Sequence, residues 1–530
     1  MTEDHGELSH EKSSSEESPL TRRQLLRAAV GVGGGLLVSG LAGCAEGPQR
    51  LSDAESNRMG GAASAPVTHE TKVTANASGV AHFTQPEVRR SMHGFLNTQL
   101  RVAFANNTLN GQSLPPNRSY EGGLTGPTFR IRAGDRMKIS LFNQLPPEQG
   151  ECGPPNTENC PNTTNLHTHG LHISPTGNSD NVLLEIPPGN DLQFQFDIPD
   201  HHHAGTFWYH AHRHGSTASQ LREGMAGALI IEGDIDQVPE IKVARDQVFL
   251  FQQLRIPFDN PENQLPTTIN GLLEPVLTLQ PGEVQRWRLI HAGIDELLTI
   301  ELVNEEGVPQ DLHVIAIDGI TLGKIETSKE VFLAPGYRAD VLIKAGPTGM
   351  YRLKKKMEEV GLNGKQEAEQ LLANIQVMGP RLNMGLPSNR ELRPLAPFRP
   401  ITDQELTDPP NQPELVFDIA NGQFMIDGKE FDHTRVDRTM TLNGVQEWTL
   451  SSKNGSHPFH IHVNPFQVIK INGKPVDPVW RDTILVRSNP PVTVTMRTRY
   501  EVFTGKYVLH CHNLVHEDRG MMQLIEILSS

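Results

Sequence analysis

Three segments of the chain open on the same plan, an alternation of apolar and polar residues that ends in a Gly or Asn-Gly turn. The first runs Thr128-Phe129-Arg130-Ile131-Arg132-Ala133-Gly134-Asp135 and continues through Met137-Lys138-Ile139-Ser140-Leu141. The second holds Thr268-Ile269-Asn270-Gly271, then Leu277 to Gly282 and Trp287-Arg288-Leu289-Ile290. The third holds Met440-Thr441-Leu442-Asn443-Gly444, then Trp448-Thr449-Leu450. Period-two runs broken at short intervals by Gly, Pro and Asn predict half-buried strands, and their recurrence predicts β-sandwiches. The openings lie about 140 and about 170 residues apart, a spacing that suits three sandwich domains. One stretch departs from the pattern: Lys354 to Ala373, rich in Lys, Glu and Leu, predicts a helix on the surface of the second domain. The Pro-rich stretch from Gly379 to Pro413 reads as a linker. The expected division is therefore 76–235, 236–380, a linker at 381–413, and 414–530.

Composition agrees with an all-β chain. The 530 residues include 47 Gly and 39 Pro, with 36% hydrophobic and 5% aromatic side chains. That length suggests several cores rather than one. The net charge of -15, from 62 acidic against 47 basic residues, argues against a nucleic-acid partner.

The first 44 residues read as a targeting segment. Arg22-Arg23 precede an apolar, Gly-rich stretch from Ala28 to Leu41, which resembles a twin-arginine export signal. Gly31, Gly33, Gly34 and Gly35 dilute that stretch too much for a membrane span. Leu41-Ala42-Gly43-Cys44 resembles a bacterial lipoprotein box, with Cys44 as a candidate lipid anchor, and 45–75 reads as a flexible tether. An exported protein, periplasmic or on the cell surface, is expected. There Cys152 and Cys160 can close a small disulfide loop.

Histidines carry the chemistry. His167-Thr168-His169 and Trp208-Tyr209-His210-Ala211-His212 lie early; His457-Pro458-Phe459-His460-Ile461-His462 and His510-Cys511-His512, with His516 and Met521 beyond, lie late. Residues two apart in a strand share a face, so each H-x-H pair aims two imidazoles at one place. A thiolate, two imidazoles and a weak thioether form the trigonal site of blue copper proteins. Cys511, His516, Met521 and His457 supply that set. In a strand the Cys511 side chain points one way and His510 and His512 point the other, so one peptide segment joins two metal centres.

This arrangement resembles the three-domain multicopper oxidases, from about Gly126 to Leu528. The resemblance implies three consecutive cupredoxin-like Greek-key sandwiches and four copper ions. It implies His457, Cys511, His516 and axial Met521 at the type 1 copper, and His167 and His460 at the type 2 copper. One type 3 copper takes His169, His210 and His512; the other takes His212, His462 and His510. The cluster then sits between the first and third domains, with the middle domain mainly a spacer and part of the substrate surface. Asp180 and Glu517 match carboxylates that serve proton delivery in related enzymes. The implied partners are dioxygen and a small reductant, acting on a monomer.

Other histidines read as structural. His201, His202 and His203 look like an exposed turn; His172 and His214 read as neighbours of ligands, His291 and His313 as structural residues of the middle domain, and Trp208-Tyr209 as packing. Among electron donors, Met357 is the only Met in Lys354–Ala373, which disfavours a cuprous oxidase with a Met-rich segment and favours a laccase-like oxidation of aromatics. Oxidation of Cu(I), Fe(II) or Mn(II) is the alternative, a non-catalytic scaffold on the same fold a further one. A copper nitrite reductase would leave several of the paired histidines without a role.

Overall fold

The computed structural model describes residues 81–255, 265–407 and 413–529. The expected export signal, Cys44 and the tether lie outside these residues. Among them no helix is long and apolar enough to cross a membrane.

The described residues fold into three sandwiches, each of two facing sheets. In the first, a sheet ordered Val88–Arg90, Thr128–Arg132, Ala226–Glu232, Gly205–His210, His167–His169 faces one made of Asn117–Tyr120, Phe95–Ala105, Arg136–Asn143 and Asp191–Asp197. The second and third sandwiches each face a 6-stranded sheet with a 5-stranded one. The alternation that predicts strands explains their burial. Along Arg136–Asn143, Met137, Ile139 and Leu141 point into the core while Lys138 and Ser140 are half-buried on the other face. Burying each such side chain contributes about 1.5–3 kcal/mol.

The three openings read from the sequence occupy equivalent places. Thr128–Arg132 runs parallel to Ala226–Glu232, Val276–Leu279 to Gln370–Val377, and Val436–Thr441 to Met522–Leu528. In every sandwich an early strand thus pairs with the last one, which is how a Greek key closes on itself. The chain is an all-β array of three cupredoxin-like sandwiches.

The helix expected at Lys354–Ala373 is absent. Gly349–Lys355 and Gln370–Val377 pair antiparallel instead, joined by a loop that turns at Gly364, whose φ is +74°. Tyr351, Leu353 and Lys355 alternate inward, a strand period hidden by a helix-forming composition. The charges that suggested a solvated helix face are partly buried. Lys355 lies 2.7 Å from Glu296 and 3.3 Å from Glu367, and is only 3% exposed.

After Val377 the chain crosses towards the third sandwich through short turns. Ser388 caps Asn389–Leu392, accepting from the Glu391 N–H, and Leu392 packs with Ile235, Val284 and Ile315.

Candidate metal centre

Cys511 ends the strand Gly505–Cys511, fully buried in the third core beside Met521. Its Sγ lies 3.4 Å from His457 Nδ1 and 3.8 Å from His516 Nδ1, and those two nitrogens are 3.3 Å apart. Each ring is held by its surroundings. His457 Nε2 donates to the Asn454 carbonyl at 2.9 Å, which leaves Nδ1 bare towards the sulfur. His516 sits in the helix Leu514–Asp518, capped by Asn513, whose Oδ1 accepts from Val515 N at 3.2 Å. The Cys511 N–H donates to the Met521 carbonyl at 3.0 Å, tying the ends of this loop together.

Burial suits the set to a metal rather than to protons. It pulls His457 down to about 4 and lowers His516, so both imidazoles are neutral at pH 7. It pushes the Cys511 thiol well up, so a thiolate forms there only against a bound cation.

Behind Cys511 the pleat carries out the expected reversal. Ser456–Ile461 pairs with Gly505–Cys511 so that His460 faces His510 and Phe459 faces Cys511. In the first sandwich, His167 faces His210 across an equivalent antiparallel pair. These strands bring eight histidines into one chamber, all essentially buried: His167, His169, His210, His212, His460, His462, His510 and His512.

Their nitrogens sort into groups. His169, His210 and His512 offer ligand atoms within 4.8 Å of one another, as do His460, His462 and His510, and also His167, His169 and His460. His510 Nε2 lies 3.2 Å from both His212 Nε2 and His462 Nε2, and His512 Nε2 lies 3.2 Å from His169 Nδ1. Nε2 of His167, His210 and His460 is buried with no hydrogen-bond partner. Burial, with the neighbouring histidines adding to it, lowers the affinity of these rings for protons, and neutral rings with converging bare nitrogens are what copper requires.

The two expected acids both reach the cluster, through histidine rings. Asp180 places both oxygens 3.0 Å from His167 Nδ1 and accepts from the Thr168 N–H at 2.8 Å. Glu517 is fully buried, with Oε2 2.9 Å from His510 Nδ1 and Oε1 3.5 Å from His212 Nδ1, and Thr217 Oγ1 donates to Oε1 at 3.2 Å. Burial pushes each carboxyl up to about 7.

Several residues that matter here escaped the sequence reading. Asp518 accepts from the N–H groups of Gly215, Thr217 and Ala218, joining the third sandwich to the first. The middle sandwich is more than a spacer: a side chain at Gly336 would meet the rings of His512 and His169 at 3.1 and 3.2 Å. Asp482 and Thr483 stand beside His169 and His460.

The remaining histidines fall as follows. His202 is buried, contrary to the exposed turn expected: Nε2 accepts from the His172 N–H at 3.0 Å and Nδ1 donates to the His203 carbonyl at 2.9 Å. Only His201 of the triplet is exposed. His172 Nδ1 donates to the Val463 carbonyl at 2.9 Å, and His214 Nε2 lies 2.9 Å from Asn156 Oδ1. His291 is buried against the second core, and His313 bonds Thr327 at 2.9 Å. Trp208 stacks on His210 with centroids 4.3 Å apart, while Tyr209 turns away to bond the Pro127 carbonyl. Cys152 and Cys160 form a disulfide, and Asn156 at the tip of that loop donates to the Phe431 carbonyl at 3.1 Å.

Three family models, each described as multicopper oxidase, match residues 156–235, 241–378 and 408–528. This chain belongs to the multicopper oxidase family. Members of it use dioxygen and a reducing substrate, and they hold copper. The chain is 27% identical to the multicopper oxidase mco of Staphylococcus aureus over 477 residues, covering 85% of this chain and 94% of that one. It is 24% identical to a laccase of Bacillus stratosphericus, covering 79% of this chain and 92% of the laccase. It is also 26% identical to the cell division protein FtsP of Escherichia coli, over 69% of this chain and 76% of FtsP. Among solved structures, a multicopper oxidase of Pediococcus acidilactici aligns with a TM-score of 0.70 at 23% identity, covering 85% of this chain and 92% of that one.

Proposed function

We propose that this multicopper oxidase is laccase-like: it takes electrons singly from a small aromatic reductant and reduces dioxygen to two waters. The observation that carries the reading is the alternation at His510-Cys511-His512, with a complete set of buried, neutral histidines on one face and the Cys511 site on the other. His457, Cys511, His516 and Met521 would hold the type 1 copper. His167 and His460 would hold the type 2 copper, with His169, His210 and His512 at one type 3 ion and His212, His462 and His510 at the other. Bound there, the four ions would supply one-electron entry and the four-electron reduction of dioxygen.

The chain's own residues do the rest. The Cys511 backbone links the two sites covalently. Asp180 orients His167, and Glu517 and Thr217 stand beside His212 and His510, where carboxyls near pH 7 can hold and release the protons that water formation consumes. Phe417 stacked on His457 and Phe424 against His516 keep the entry site dry.

The division into domains at 76–235, 236–380 and 414–530 belongs to the same reading, as do export through the 1–44 signal and a lipid on Cys44. The retention of every expected ligand weighs against an FtsP-like scaffold. Oxygen uptake by copper-loaded protein against phenols, aromatic amines, Cu(I), Fe(II) and Mn(II) tests the proposal. Fastest turnover with an aromatic supports it; turnover with a metal ion alone would replace the donor, and no uptake with any donor would remove the oxidase.

A further inference from the structure

The eight cluster histidines do not present the same atom. Seven direct Nε2 at the chamber: His510, His212, His462 and His512 meet neighbouring nitrogens through Nε2, and His167, His210 and His460 leave Nε2 bare. His169 alone is reversed, offering Nδ1 towards His512 Nε2 at 3.2 Å. Which nitrogen a histidine gives to a metal is set by what the other one bonds.

The other nitrogen of His169 faces the third sandwich. Its Nε2 lies 3.4 Å from Thr483 Oγ1 and 3.4 Å from Asp482 Oδ1. Thr483 Oγ1 donates to Asp482 Oδ1 at 2.8 Å, so it has a lone pair left to accept from the His169 Nε2–H. The Asp482 main-chain carbonyl accepts from His460 Nδ1 at 2.8 Å, so the same pair of residues governs two cluster rings.

Asp482 is held in turn by the middle sandwich. Arg338 grips both of its oxygens, Nη1 donating to Oδ1 at 2.8 Å and Nη2 to Oδ2 at 2.5 Å. The remaining donors go to three carbonyls: Thr206 at 3.2 Å, Gly336 at 2.9 Å and Asp318 at 2.9 Å. All five guanidinium N–H bonds are thus used, on partners from all three sandwiches, by a side chain that is fully buried. Burial opposes a charge on Asp482, and the neighbouring guanidinium outweighs it, holding that carboxyl below its usual range.

We infer that Arg338, acting through Asp482 and Thr483, is a positioning residue of the copper cluster: it fixes His169 as the ligand that presents Nδ1. The inference rests on the proposed function. It makes the middle sandwich a working part of the oxygen-reducing site. A lysine cannot replace Arg338, because one ammonium cannot make a bidentate grip on Asp482 and reach three separated carbonyls.

The test compares wild-type copper-loaded protein with Arg338→Lys, Asp482→Asn and Thr483→Val. The readouts are copper per chain under chelator titration, the blue absorbance, and the electron paramagnetic resonance of the cluster. All three substitutions are expected to weaken cluster copper by roughly 10–100-fold while the blue absorbance stays at the wild-type level. Thr483→Val is the mildest, leaving Arg338 on Asp482, and answers the question if the other two fail to fold. Cluster copper held as tightly in a folded Thr483→Val protein as in the wild type, with an unchanged resonance, would overturn the inference and leave the proposed function standing. A wild-type protein that takes up only the blue copper would overturn both.

Discussion

The carboxylate of Asp518 accepts a hydrogen bond from the backbone N–H of Ala218 at 2.8 Å, across the join between the third and first sandwiches. The same side chain takes the N–H groups of Gly215 and Thr217 at 2.7 and 3.2 Å, so it caps the N-terminal end of the helix Thr217–Leu221 from the third sandwich. Its neighbour Glu517 stands in the cluster wall. Replacing Asp518 by Ala should therefore cost about 2 kcal/mol of stability, read as a lower midpoint in thermal unfolding. Asp518→Asn, which keeps one acceptor oxygen, should cost less; equal costs would argue that the shared bonds do not matter.

Cys511→Ser should abolish the blue absorbance and oxygen uptake together, because in the proposed function the sulfur is both ligand and link. Turnover that survives the loss of colour would mean that electrons enter elsewhere.

Asp180→Asn should leave the blue absorbance intact and slow oxygen reduction, since the amide cannot repeat the two-oxygen contact with His167 Nδ1. A loss of roughly 10–100-fold is expected for a group that orients a ligand, measured as oxygen uptake under saturating donor. Wild-type turnover would show that His167 needs no such support.

Stripping copper with a chelator should lower the unfolding midpoint, because the metal binds the assembled histidines and not the open chain. The apoprotein's midpoint should return on reloading, and a midpoint indifferent to copper would contradict a preformed, folding-linked site.

Away from copper, burial pushes Glu367 up to about 7, although Lys355 beside it pulls the other way. The folded form then holds a proton that the unfolded chain has lost, so stability should decline as pH rises from about 4.5 to about 7. Glu367→Gln should flatten that part of the profile in urea unfolding, and an unaltered slope would show that another group sets it.

The histidine motifs are legible in the sequence because their information is local. Two histidines one residue apart in a strand must share a face, and Cys511 between His510 and His512 must oppose them, whatever the rest of the fold does. Arg338, Asp482, Thr483 and Asp518 gave no such signal. Each is a single polar residue in an ordinary stretch, and only strand register and domain packing bring them to the histidines. His202 was misplaced for the same reason, since its partner is the His172 backbone in another loop. Lys354–Ala373 misled through composition, because Lys355 and Glu367 are polar, ionisable side chains that are nonetheless buried against each other.

His212 and His510 lie 3.2 Å apart in space and 298 residues apart in the chain. Synthesis delivers the first four cluster histidines long before the last four. His510 and His512, either side of Cys511 at the end of its strand, complete the chamber that the other six histidines only partly line. The histidine chamber therefore closes only when the strand ending in Cys511 pairs with Ser456–Ile461 and faces the first sandwich.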